Sequence, residues 1–262
     1  MSFRSDIVYR YDGSFEGMIC CVHDAFYRKE EPFSISGPDD DQISLLDCHI
    51  VETEPDNAGR VMAAVSEKIG VPAADLVRQA YLTCMAAKEL AVLRFLRLGF
   101  KVGSGVTDML AEDAVNGLVK AVRSLNGEAH LLTGFIRFSD YRGKMAAVIS
   151  PKNTVLPIIA GHFCDRYASE SFIIYDDVHN MALCYHNGKC ELMNITDFTL
   201  PAVSNDEIKY RALWKKFYDT IGIKERYNPK CRMSHMPKRY WKHMTEFQEV
   251  GHGIQPAITH DK

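Results

Sequence analysis

FIIYDD (172–177), MALCYH (181–186) and KCELMNI (189–195) follow one another with very short connections. Each run is rich in apolar, β-branched or aromatic residues. The last two are joined by His186-Asn187-Gly188-Lys189. Asn-Gly tolerates the positive φ angles that a two-residue hairpin turn needs, so the pair predicts a tight reversal there. The three runs together predict an antiparallel meander. Just upstream, GFIRF (134–138) and KMAAVIS (144–150) flank a turn at 140–143 and read as a hairpin. Residues 151–168 open with a Pro-Lys-Asn turn and continue as a helix.

Working outward, the first half reads mainly as helix. IVYRYD (7–12) predicts a short strand that turns at Asp12-Gly13. Ser14 is an N-cap residue for a following helix. Phe15, Met18, Ile19, Val22 and Phe26 recur at helical spacing behind it. Further helices are expected over 58–69, over 72–98 and over 107–125, the last closed by Asn126-Gly127. Gly99-x3-Gly103-x-Gly105 lacks the Gly-Lys-Ser/Thr of a phosphate loop and follows a helix, so it reads as an interhelical turn. From Asn205 the chain returns to helix. The fold class is therefore α+β, with a helix-rich N-terminal half, a small antiparallel sheet of hairpin plus meander, and basic C-terminal helices. The organisation expected is a single unit over 1–262. A sub-boundary is expected near 126–133, between a helical part (1–130) and a sheet plus helical part (131–250), with a loose tail at 251–262.

The composition is ordinary for a globular chain: 262 residues, 47% hydrophobic and 25% charged. Long disordered, collagenous or coiled-coil content is excluded. The net charge of −3, from 31 basic and 34 acidic side chains, conceals strong polarity. Residues 30–56 hold nine acids and no Lys or Arg and read as a loop, with ISLLDCHIV a candidate strand inside it. Residues 208–243 hold eleven Lys or Arg against two acids. A charged partner responds to the local field, not to the sum. No apolar run reaches the roughly 20 residues of a membrane span, and the start lacks the apolar core of an export signal. With eight cysteines and no Cys-x-x-Cys, reduced thiols and a cytoplasmic location are expected.

The basic segment carries the first candidate site. Its cations are interleaved with Tyr210, Trp214, Phe217, Tyr218, Tyr227, Tyr240 and Trp241. Cations neutralise phosphates and aromatic faces stack on unpaired bases. Leu213, Trp214, Phe217 and Ile221 also fit a core stripe at helical spacing. Within the run from Met236 to His243, nucleic-acid contact through Lys238, Arg239, Tyr240, Trp241 and Lys242 stands beside a plain solvated face. A second cluster is His162, Asp165 and Arg166, with Asp176 beyond it. His162 and Arg166 are four apart and share a helix face, which suits an anion site or an acid–base histidine with Asp176 as its orienter. The alternative is a structural pair satisfied by a carboxylate such as Asp176. Arg137, in an otherwise apolar strand, must be paired or exposed at a site. It could bind an anion beside Arg166 or form a salt bridge with Asp176. His162-x-Cys164, Cys184-x-His186, Cys190 and Cys231-x3-His235 have no recurrent zinc spacing, so no metal and no cofactor is expected.

These residues resemble a known family. YDGSFEG (11–17), GFIRF (134–138), HFCDR (162–166), IYD (174–176), Leu213-Trp214 and MPKRYW (236–241) are similar, in order, to blocks of the DUF4130 family. Its bacterial members are named DNA repair or DNA metabolism proteins. The resemblance implies a DNA context and a companion radical-SAM protein, but carries over no catalytic residue. The chain lacks the Cys-x3-Cys-x2-Cys motif of the radical-SAM enzyme itself. Three functions follow as expectations. The first is a DNA-binding accessory or repair protein, with the strand type open. The second is an enzyme acting on a nucleotide or nucleic-acid phosphate or base, in which His162 is the acid–base. The third is a protein-interaction module without DNA affinity. Whether the chain is an enzyme is left open.

Overall fold

A computed structural model describes residues 5–38 and 45–248, apart from the side chain of Lys224. The expected tail at 251–262 and Asp39, Asp40 and Asp41 of the acidic window lie outside these residues. The architecture is α+β, and the chain divides into two compact units, 1–125 and 126–262.

In the first unit, β1 (Ile7–Arg10) is the centre of a three-stranded sheet, between β2 (Ser34–Ser36) and β3 (Asp47–Ile50). Both pairings are parallel. The acidic window is thus not simply a loop, because it supplies both outer strands. Its carboxylates are also used internally: Glu30 is buried and accepts a 2.7 Å hydrogen bond from the Tyr9 hydroxyl. α1 (Phe15–Tyr27) is capped by Ser14, whose hydroxyl accepts from the Gly17 amide at 2.9 Å. Met18, Ile19, Cys20, Cys21, Val22 and Ala25 are all buried on it. α2 (Pro55–Lys68), α3 (Val71–Tyr81) and α4 (Lys88–Val102) complete the core.

The continuous helix expected over 72–98 is broken between α3 and α4. Ala87 takes a left-handed φ of 51°. The half-buried Lys88 ammonium donates to the carbonyls of Tyr81 and Thr83 at 2.6 and 3.3 Å, which satisfies the end of α3. The turn expected over Gly99 to Gly105 begins later. α4 continues through Gly99 to Val102, and only Gly103, at a φ of 84°, leads out of it into a 3-10 turn at Ser104–Asp108. A side chain at Gly99 would lie 2.8 Å from Ile69, so this glycine permits close helix packing.

α5 (Asp113–Phe135) starts later than expected and runs through Asn126-Gly127 to the end of the second unit's first segment. Leu125, Ala129 and Leu132, spaced i, i+4 and i+7, are buried. That apolar register outweighs the local turn preference of Asn-Gly. Gly134 and Phe135 therefore close a helix, and GFIRF is not a strand.

The second unit's sheet has the order β4 (Ser139–Asp140), β5 (Met145–Ile149), β6 (Phe172–Asp176), β7 (Met181–His186) and β8 (Lys189–Asn194). The β6–β7–β8 meander is antiparallel as expected, whereas the hairpin onto β5 is made by Ser139–Asp140 and not by GFIRF. Asn187 and Gly188 have φ of 49° and 77°, the turn geometry that their sequence demands. The sheet as a whole is mixed, however, because β5 and β6 are parallel. α6 (Leu156–Arg166) connects them, and parallel neighbours require such a crossover. β8, at the edge, is exposed along its length and carries Lys189 and Glu191, charges that discourage edge pairing. α7 (Asn205–Ile221) and the short α8 (Pro229–His235) follow, then 3-10 turns over Lys238–His243 and Thr245–Phe247.

Candidate functional site

α6 buries Leu156, Ile159 and Phe163 and so turns His162 and Arg166 outward. Phe138 anchors the buried side, with its ring 5.8 Å from Phe163, 5.2 Å from Tyr167 and 5.6 Å from Phe172. α7 is fixed at its start by Glu207. The Ser204 hydroxyl accepts from the Glu207 amide at 3.1 Å. The Glu207 carboxylate accepts from the Asp140 amide at 3.2 Å and from Arg211 Nε at 2.8 Å.

Between these helices and the end of α5 lies an open cleft of about 710 Å³. It is lined by Arg137, His162, Arg166, Tyr210, Arg211 and Trp214, with Phe138, Phe163 and Tyr167 among its apolar walls. Arg137, His162 and Arg166, read from the sequence as one anion site, therefore share a solvent-reachable surface.

They differ in how far they are committed. Arg137 lies in the coil after α5 and is paired with Glu246, not with Asp176. Its Nε and Nη2 donate to the two Glu246 oxygens at 3.2 and 2.8 Å. Trp214 Nε1 donates to the same carboxylate at 3.2 Å, and the Arg137 guanidinium lies 5.7 Å from the Trp214 ring centre. Glu246 is almost wholly buried, so it holds two cleft residues at once. Arg211 is held by Glu207. Arg166 is exposed, with no acid partner among the described residues, and its guanidinium lies 5.8 Å from the Tyr167 ring. His162 is exposed and meets Phe163 edge-on at 5.1 Å.

Asp176 lies off the cleft and is fully buried. Its carboxylate faces the His179 ring at 2.7 Å and accepts from the amides of Val178 and His179 at 3.0 and 3.2 Å. It orients His179, not His162. No carboxylate among the described residues contacts the His162 ring.

In the cluster at the end of the basic segment Tyr240 is turned inward and Trp241 is half-buried, while Lys238, Arg239 and Lys242 are exposed. Tyr240 is buried, its ring 5.4 Å from Phe135, and burial raises its hydroxyl pKa. A buried aromatic cannot stack on a base, which corrects that expectation for Tyr240. Arg239 pairs with the buried Glu128 at 3.1 Å. Glu128 also accepts from the amides of Lys152 and Asn153 at 3.1 and 2.9 Å. Trp241 stacks on Phe247 at 4.3 Å and donates to the Met236 carbonyl at 3.0 Å. Lys238 is exposed above the Trp241 ring. Lys242 pairs with Asp177 at 3.0 Å.

The stripe expected to be core is the opposite. Leu213, Trp214, Phe217 and Ile221 are 62, 40, 50 and 61% exposed, and Tyr210 is 68% exposed. At i, i+3, i+4, i+7 and i+11 they form one apolar and aromatic face of α7, flanked by the exposed Lys209 and Lys216. Among the described residues no group of three or more His, Cys, Asp or Glu could hold a metal ion, and no helix is long and apolar enough to cross a membrane.

A family described as a domain of unknown function, DUF4130, matches residues 86–246, about three-fifths of the chain. The chain belongs to this family. The DUF4130 match contains every lining residue of the cleft, together with the Ser139-to-Asn194 sheet. It leaves out the YDGSFEG block at 11–17. No curated protein matches the chain.

Glu246, the buried carboxylate that positions Arg137 and Trp214 behind the cleft, is the residue that sequence reasoning missed. It stands 109 positions from Arg137, and nothing in its neighbourhood distinguishes it from any acid near a chain end.

Proposed function

We propose that the α6–α7 cleft binds nucleic acid with unpaired bases. Tyr210 and Trp214 offer faces for base stacking, and Arg166 and His162 contact the adjoining phosphate. The observation that carries this reading is the exposed aromatic face of α7 beside the uncommitted Arg166. Exposed rings next to cations track a single strand without reading its sequence. Trp214 is held in place by Glu246 and so presents its ring at low entropic cost. In this reading the DNA-repair setting, the radical-SAM companion and the cytoplasmic location implied at the outset supply the context. The contact surface moves from the 238–242 cluster to α6 and α7, while Lys238 and Lys242 contribute long-range charge.

The test is a titration of labelled single- and double-stranded DNA at several salt concentrations. Single strands should bind more tightly. Trp214→Ala should weaken binding about 10- to 100-fold, as loss of one stacked base does. Arg166→Ala should lower the salt slope by about 1. Equal binding of wild type and both variants would overturn the proposal.

A second reading has its own support. Leu213 and Ile221 are aliphatic, offer no stacking face and are more than half exposed. A contiguous exposed apolar face favours a protein interface. Co-purification of a protein partner that is lost in Leu213→Lys, with no DNA affinity in the wild type, would select that reading.

A further inference from the structure

β5 and β6 are the parallel pair of the second sheet, and their carboxyl ends lie side by side. In α/β sheets, ligands bind beyond the carboxyl ends of parallel strands. The first residue after β5 is Ser150 and the first after β6 is Asp177. The 3-10 turn at 238–243 delivers Lys242 and His243 to the same place. Ser150 Oγ is 2.7 Å from His243 Nε2 and 3.3 Å from Lys242 Nζ. Lys242 in turn contacts Asp177 Oδ2 at 3.0 Å.

The donors fix the direction of the serine proton. An ammonium has only donors, so Lys242 donates to Ser150 Oγ. The serine hydroxyl can then donate to His243 Nε2, with the ring proton on Nδ1. Nδ1 is buried and has no partner among the described residues in either tautomer, so it does not decide between them. Burial, with the Lys242 charge beside it, pushes the imidazole pKa down to about 4, so the ring is neutral and a weak base. Asp177, whose Oδ2 lies 3.8 Å from Nε2, is the group that favours the imidazolium. A neutral imidazole within hydrogen-bond reach of a hydroxyl is the arrangement of a general base and its nucleophile. Lys242 adds a positive charge that favours the alkoxide developing on Oγ.

We propose that Ser150 is a nucleophile, with His243 as its base, toward electrophilic esters. Oγ attacks the ester carbonyl and its proton passes to Nε2. The Oγ–C bond forms, the bond to the leaving alkoxide breaks, and Nε2 returns the proton to that alkoxide. Water then releases the acyl group by the reverse transfers. The internal cavity beside Ser150 and His243 has about 10 Å³, room for one water. An ester therefore approaches from the half-exposed Lys242 side.

The experiment is labelling of the full chain with a fluorophosphonate probe. Oγ forms a bond to phosphorus, fluoride leaves, and the proton goes to His243. Peptide mass spectrometry should find the adduct on Ser150 and none in Ser150→Ala. His243→Gln should label about a hundredfold more slowly. Lys242→Gln changes an exposed residue and keeps the falsifying arm open if His243→Gln does not fold. It should slow labelling severalfold. No adduct on wild type, an adduct on another residue, or Lys242→Gln and His243→Gln both reacting at the wild-type rate would overturn the proposal.

Discussion

Removing the Glu246 carboxylate should cost the second unit about 3 kcal/mol. The residue is 4% exposed and accepts three hydrogen bonds, two from Arg137 and one from Trp214. Deleting one member of a buried ion pair typically costs about 3–5 kcal/mol, because the other charge is left unpaired. The Arg137 side chain is 23% exposed. Water can therefore reach it, which places Glu246→Ala at the low end of that range. Glu246→Gln keeps the shape and one acceptor and should cost about 2 kcal/mol. Both tryptophans lie in the second unit, so their emission follows its unfolding. With a urea dependence of roughly 2–3 kcal/mol per molar, Glu246→Ala should lower the midpoint by about 1 M. Arg137→Met combined with Glu246→Ala should be less damaging than the sum, by a coupling of about 1–3 kcal/mol. A shift below about 0.5 kcal/mol for Glu246→Ala, or strict additivity in the double variant, would refute the role given to this carboxylate.

Other outcomes follow from the same structure. Gly17→Ala should lower the thermal midpoint, at about 1–3 kcal/mol. A Cβ there would lie 2.3 Å from the Asp12 Oδ1 that accepts from Ser14, and 2.7 Å from Thr53 Oγ1. Gly188→Ala should cost about 1 kcal/mol by urea melt, because the residue holds a φ of 77°, whereas Asn187→Gly should be nearly neutral. His243, facing Lys242 and Asp177, has its pKa lowered to about 4, burial being the main cause. Between pH 6.5 and 4 the unfolded chain binds a proton that the folded chain does not, so stability falls as pH falls through that window. The loss reaches about 3 kcal/mol near pH 4 and should vanish from the wild-type minus His243→Gln difference.

Much of this fold is legible in the sequence where a local rule has no competitor. Asn187-Gly188 sets a hairpin because its backbone preference and the flanking apolar runs agree. Ser14 caps α1 for the same reason. The reading fails where tertiary burial decides. Asn126-Gly127 is a good turn, yet Leu125, Ala129 and Leu132 are buried on a helix that runs through it. Strand direction was also hidden: β5 and β6 look like members of one antiparallel set until α6 is recognised as their crossover. The site shows the same division. His162 and Arg166 are neighbours by helical spacing, and their shared face was foreseeable. The α7 stripe obeys the periodicity of a core face, but periodicity locates a face without saying what covers it. Asp176 paired with His179 three residues on, a local contact that outcompeted the longer-range one expected with His162 or Arg137.

The most direct test of the nucleic-acid reading is the emission of Trp214, isolated by Trp241→Phe, during titration with a short single-stranded oligonucleotide at low salt. Stacking at the cleft predicts saturable quenching at micromolar to about 100 μM oligonucleotide, weakened as salt rises. Emission that stays constant throughout, while the chain remains folded, would contradict it.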